Sequence, residues 1–230
     1  MAETIAIYIY EGEYGHGTAG YGLIERAARD YLARFPEALS RRSAEGPLGA
    51  VRPEDLSFTI EKEEKKKPHF RDLPLFFSVS NSGRLWVCAV GVRELGLDVQ
   101  KTDDREETVA KVSRRFYAEG EQKRVRELGR SAFYEIWVRK EAVGKLSGRG
   151  IFGPAAVVCD EEGNLQDWLL PESAAGDGTV SADLPAGASG AFAIRLQEIP
   201  MPAGFAGACC WEQSLTEAEP EIRIRPLEDD

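Results

Sequence analysis

Trp137, Glu141 and Lys145 stand four residues apart, so on a helix they fall in one stripe along a single face. An anion and a cation one turn apart can be an ordinary surface pair worth about 0.5 kcal/mol. The small residues that follow suggest more. Gly148 and Gly150 close the helix in a turn that glycine enters cheaply, leaving backbone able to approach a ligand. Upstream, the segment Phe77 to Lys101 ends its apolar run in Asp98. Alone, Asp98 reads as a strand-end aspartate turning the chain. A carboxylate from each segment, converging in space, is the minimum equipment for holding a magnesium ion against a substrate's phosphates.

The elements that must position these groups follow from periodicity. Residues Thr4 to Tyr10 alternate as a strand, a glycine-rich piece follows, and Leu23 to Phe35 has helical spacing ended by Pro36. Ser40 to Pro53 reads as an exposed loop, Leu56 to Glu61 as a strand, and EKEEKKKP as a hairpin or loop. Phe76 to Ser80 and Leu85 to Val92 are strands joined by an SNSG turn, and Leu97 to Gln100 is a short strand closing the first half. The second half opens with helices over Glu106 to Phe116, Glu121 to Leu128 and Ser131 to Leu146, with Ser131 placed to cap the last. Strands are then expected over Ala155 to Cys159, Gln166 to Leu170, Ala191 to Ile199, Phe205 to Glu212 and Ile222 to Ile224. Between them fall a DEEGN turn and a loose connection over Glu172 to Ser189, and the Glu217 to Pro220 stretch and the PLEDD end read as solvated tail. These elements divide into an N-terminal half, 1–100, and a C-terminal half with an acidic tail, 101–230; no direct repeat is visible.

At 43% hydrophobic residues and 230 residues in all, the chain can bury a sizeable core. No apolar run is long enough to span a membrane, and MAETIAIYIYEGE lacks the features of a secretory signal. Cys88, Cys159, Cys209 and Cys210 show no metal-ligand spacing and read as buried thiols, which places the protein in the cytoplasm. The net charge of −10 disfavours nucleic acid. From Arg105 to Arg149, however, twelve basic side chains face seven acidic ones, leaving −15 for the rest. Such a segment suits an anionic partner, or is simply the mixed surface of helices.

The ordered motifs resemble the 4'-phosphopantetheinyl transferase superfamily, in particular its longer, single-chain branch. Ser80, Ser82 and Gly83 match that family's serine-histidine-serine-glycine turn, and Gly96 and Asp98 its glycine-x-aspartate-x-glutamate strand end. Trp137, Lys140, Glu141, Ala142, Lys145, Gly148, Gly150 and Ile151 match its tryptophan-lysine-glutamate helix. Arg115, Phe116, Tyr117 and Glu121 look like the arginine-aromatic block before it, and Lys67, Pro68, His69 and Phe70 like its lysine-proline segment. Two positions depart: the family's histidine is Asn81 here, and its second strand-end acid is Gln100. Asparagine can donate to a phosphate but cannot carry charge, and glutamine offers a metal only a carbonyl oxygen.

The resemblance implies an α+β fold of two similar halves about a pseudo-twofold axis with the cofactor in the cleft between them, in a monomer. It implies transfer of the phosphopantetheine arm of coenzyme A to a serine of an acidic acyl or peptidyl carrier protein, releasing adenosine 3',5'-bisphosphate. Magnesium would be held by Asp98 and Glu141, with Gln100 contributing directly or through water. Glu141 would also serve as base, and Lys145 would stabilise the leaving phosphate. Lys67, Pro68, Ser80, Asn81, Ser82, Lys140 and Lys145 would hold the cofactor, and Trp137 would position. His16 and His69 stand beside this set, His16 in a plain glycine-rich loop that lacks the ending of a nucleotide loop. A noncatalytic binder of coenzyme A or of a carrier protein, and a metal-dependent phosphodiester hydrolase, are the competing readings.

Overall fold

A computed structural model describes residues 3–15, 17–40, 56–63, 67–103, 105–148, 156–169, 192–214 and 216–228. The chain forms two compact units, Met1–Leu95 with Glu219–Asp230, and Gly96–Ala218. Residues 219–230 thus go with the first unit, although by sequence order they fall in the second half. His16, Lys65, Lys66, Gly150, Ile151, the loop over 41–55 and the connection over 172–189 lie outside the described residues.

The first unit is built on β1 (Thr4–Glu11), β4 (Phe76–Ser82), β5 (Leu85–Gly91) and β10 (Glu221–Pro226), ordered β10-β1-β5-β4. Every residue of β5 is buried, and so are the first five of β1, because both are interior strands. β10 runs parallel to β1, pairing Ile5 with Ile222 and Ile7 with Ile224. The strand expected over Ile222 to Ile224 is thus present as an edge strand, which runs on to Pro226, the first residue of the PLEDD end. Helix α1 (Tyr21–Arg34) buries Ile24, Ala27, Ala28, Tyr31 and Leu32, one helical face, and Tyr31 donates to the Thr4 carbonyl of β1 at 2.8 Å. It stops before Pro36, as its sequence requires. The expected strand Leu56 to Glu61 shrinks to β2 (Ile60–Glu61), paired with β3 (His69–Phe70).

The second unit combines β6 (Leu95–Lys101), β7 (Trp168–Leu169), β8 (Phe192–Glu198) and β9 (Phe205–Ser214), ordered β6-β9-β8-β7, with α2 (Glu106–Phe116), α3 (Glu119–Leu128) and α4 (Arg130–Ser147). The expected strand over Ala155 to Cys159 is instead irregular backbone over its described part, with one isolated bridge, Cys159 to Leu165, across the acidic turn. Helix α4 is buried on nearly all sides, from Ala132 to Leu146, with its main packing against β9. Its N-terminus corrects the sequence reading. Gly129, not Ser131, is the cap residue, and the Ser131 hydroxyl donates backward to the Leu128 carbonyl at 3.4 Å. Its C-terminus agrees: Gly148 takes the left-handed conformation, φ 69° and ψ 5°. All four cysteines are buried free thiols. Among the described residues, no helix is long and apolar enough to cross a membrane.

One contact sets the spacing of the unit. A Cβ on Gly96 of β6 would lie 2.0 Å from the Ala142 carbonyl oxygen and 2.7 Å from the Leu146 amide of α4. Strand and helix backbones nearly touch there, so Gly96→Ala must drive them apart. We expect a loss of about 2 kcal/mol, read as a lowered thermal midpoint, with a larger loss for Gly96→Val.

Candidate functional site

Because side chains alternate along a strand, Gly96, Asp98 and Gln100 share the face of β6 turned to α4. Four-residue spacing puts Phe133, Trp137, Glu141 and Lys145 on one stripe of α4, and the Phe133 and Trp137 rings stack at 6.0 Å within that stripe. The close approach at Gly96 then brings the two faces together one residue pair further on. The Lys145 ammonium donates to Asp98 Oδ1 at 2.8 Å. Asp98 is buried, while the Lys145 side chain is 30% exposed, so the pair stands at the margin of the core with its cation toward solvent.

Glu141 completes the cluster electrostatically. Burial pushes its carboxyl above the ordinary carboxylate range, the neighbouring Asp98 charge raises it further, and Lys145 partly opposes both. Two carboxylates held near each other in a half-buried setting, with a glutamine carbonyl two residues along the strand, form an oxygen-only donor set. That chemistry suits a hard divalent cation, whose charge would relieve the repulsion now raising Glu141. Among the described residues no group of three or more histidine, cysteine, aspartate or glutamate side chains converges for a metal. Any cation here would rest on two acids, with Gln100, water and ligand oxygens completing its shell.

The other candidates fall differently. Lys140 is buried and its ammonium is spent within the fold, on both oxygens of Glu121 at 3.0 and 2.9 Å and on the Ala156 carbonyl at 2.6 Å. The phosphate contact expected for it is thereby corrected: a solvated lysine would be needed, and this one is locked. In the first unit, β4 runs on through Ser82, so the expected SNSG turn is a strand end followed by a two-residue turn at Gly83 (φ 60°) and Arg84. Ser80 is buried, Asn81 is exposed opposite Trp86, and Ser82 is half-buried opposite Leu85. Lys67 pairs with Glu94 at 2.7 Å, Pro68 leads into β3, and exposed His69 sits 4.0 Å from Glu61.

Two features escaped the sequence reading. Glu121 was a motif position without a role; in the structure it is wholly buried and accepts from Lys140 and from the amides of Ala118 and Val158, both at 2.8 Å. Its place three residues into a helix, where a glutamate reaches back to the cap amide, was the available signal. Gly96 likewise matched a motif without showing that a helix backbone lies against it.

Residues 94–175 match the family model of the 4'-phosphopantetheinyl transferase superfamily. That segment is similar to the superfamily over its matched length. It contains Asp98, Gln100, Glu121, Lys140, Glu141 and Lys145. A 4'-phosphopantetheinyl transferase of Bacillus subtilis is 31% identical over 118 residues, 49% of this chain and 50% of the relative. The 4'-phosphopantetheinyl transferase gsp of Aneurinibacillus migulanus is 30% identical over 99 residues, 41% and 40% of the two chains. The Sfp enzyme of Bacillus subtilis strain 168 is 31% identical over 105 residues, 44% and 45%. The chain thus spans about half the length of the curated relatives it matches.

The raised Glu141 carboxyl has a measurable consequence. A carboxyl with a folded-state pKa above its unfolded one favours folding while protonated, and that contribution is lost as pH rises through the folded pKa. Glu141→Gln should therefore raise the thermal midpoint at pH 8, where wild type carries the repelled charge. The gain should vanish near pH 4, when both proteins are neutral at this position.

Proposed function

We propose that the protein transfers the 4'-phosphopantetheine arm of coenzyme A to a serine of an acyl or peptidyl carrier protein. The observation carrying this reading is the Asp98–Lys145–Glu141 cluster, lying within the segment that matches the superfamily. The relatives' printed activity points the same way. The two-half arrangement about a pseudo-twofold axis, with coenzyme A held between the halves, belongs to this proposal, as do a monomeric state and a cytoplasmic location. Four buried free thiols suit a reducing compartment.

In the reaction the carrier's serine oxygen attacks the phosphorus that bears pantetheine. The new oxygen–phosphorus bond forms as the bridging bond of the pyrophosphate breaks, and adenosine 3',5'-bisphosphate departs with the bonding electrons. The serine must shed its proton as negative charge builds on the phosphoryl oxygens. Magnesium, when held by Asp98 and Glu141 with Gln100 contributing, supplies Lewis-acid stabilisation of that charge. Glu141 would also accept the serine proton, directly or through a water. Lys145 holds Asp98 in place and presents its charge on the exposed side, where it would meet the leaving phosphate. Lys67, Pro68, Asn81, Ser82 and, from its buried position, Ser80 would serve the nucleotide, Lys67 exchanging Glu94 for a phosphate. The basic excess between Arg105 and Arg149 suits an acidic carrier protein.

Purified protein mixed with coenzyme A, magnesium and an apo carrier protein should add one phosphopantetheine arm to the carrier, seen by intact mass spectrometry. Asp98→Asn and Glu141→Gln should each lower the rate by about a hundredfold or more while the protein stays folded. Coenzyme A binding without a mass change would instead favour the noncatalytic reading. Coenzyme A breakdown without acceptor would favour the hydrolase.

A further inference from the structure

Glu121 and Lys140 are the most deeply buried ion pair among the described residues, with side-chain exposures of 0% and 5%. Burying two opposite charges costs several kcal/mol per ion before their attraction offsets it, and hydrogen bonds must satisfy what remains. Here they do. One Glu121 oxygen accepts from the Ala118 amide at the start of α3, and the other from the Val158 amide. Both accept from Lys140 in the middle of α4, and Lys140 also donates to the Ala156 carbonyl. The Lys140 ammonium lies 5.7 Å from the centre of the Tyr117 ring, and the Tyr117 hydroxyl donates to the Phe133 carbonyl of α4 at 2.7 Å. Beside the pair, a Cβ on Gly120 would come within 1.9 Å of the Asp160 carbonyl, so α3 and this stretch also touch backbone to backbone. Three segments, α3, α4 and residues 156–160, are thereby tied at one buried point.

Lys140 is the residue before Glu141. Consecutive helix residues point about 100° apart, so tying Lys140 to α3 dictates which way Glu141 faces. The contact of Gly96 with Ala142 and Leu146 holds α4 on the strand side. With Lys140 tied on one side and the strand backbone on another, α4 can neither roll nor slide without breaking one of the two. Glu141, the neighbour of Lys140, is the side chain whose direction those contacts set, whereas Lys145 is held by its own pair with Asp98.

We propose that Glu121 and Lys140 are positioning residues, a buried latch that fixes the rotation of α4, and that Lys140 acts on the reaction only through this latch and never by touching the cofactor's phosphates. The inference rests on the transferase reading for its activity readout, and coenzyme A affinity provides a readout that does not.

The wild-type protein is first assayed for transfer to an apo carrier protein; failure there overturns the transferase reading, and the latch is then judged on affinity. In folded Lys140→Met we expect kcat to fall at least about tenfold while KM and the calorimetric Kd for coenzyme A stay within about twofold of wild type. Lys145→Met, by contrast, should weaken coenzyme A binding. Glu121→Gln should repeat the Lys140→Met pattern. The double variant Glu121→Gln/Lys140→Met should lose less than the product of the single losses, since each single leaves one buried charge unmatched. If the singles do not fold, the double variant carries the same comparison of kcat with KM and Kd. A tenfold or greater weakening of coenzyme A binding in any folded Lys140 variant, by about the discrimination a phosphate contact gives, overturns the latch. So do single losses that simply multiply in the double variant.

Discussion

A strand and a helix can set a carboxylate against an ammonium only if their backbones come close, and at Gly96 they almost touch. Ala142 and Leu146 of α4 fill the space where a side chain would stand. From that contact the rest follows by geometry. Two residues along β6, Asp98 projects on the same face and meets Lys145, while Glu141, one turn back on α4, feels both charges. The glycine contributes no chemistry, yet it sets the distance at which the chemistry becomes available.

The same unit separates two lysines that look alike in sequence. Lys140 and Lys145 both stand in the helix motif, and both suit a phosphate. Five residues is about one and a half turns, so they leave α4 in different directions. One enters a core site prepared by Glu121 and two backbone amides; the other reaches Asp98 at the edge, with almost a third of its side chain in solvent. Both ion pairs restrict α4. Only the edge pair leaves charge where a ligand can arrive.

Periodicity disclosed most of the scaffold. The α1 stripe, the fully apolar β5 and the long α4 all carry their burial in their spacing. The stripe Trp137–Glu141–Lys145 and the strand-end Asp98 were legible for the same reason. Features that depend on packing were hidden. Nothing in the sequence around Glu221 says that the chain's end returns to pair with β1, nor does the spacing around Ser131 reveal that the helix starts one residue earlier at a glycine cap. The SNSG stretch shows how turn-forming residues mislead: pairing with β5 keeps Asn81 and Ser82 extended, and only Gly83 and Arg84 turn. Lys140 was misread because its partner lies nineteen residues away and becomes visible only when α3 folds against α4.

The central claim is that Asp98, Lys145 and Glu141 behave as one electrostatic unit. Its most direct test is the ionisation of Glu141 itself, followed by carboxyl carbon NMR in wild type and in Asp98→Asn. With the Asp98 charge present, Glu141 should titrate above the ordinary carboxylate range; with it neutralised, and Lys145 released, the titration should move down toward that range. An unchanged Glu141 titration in Asp98→Asn would mean the two carboxyls do not sense each other, and the site described here would not exist as a unit.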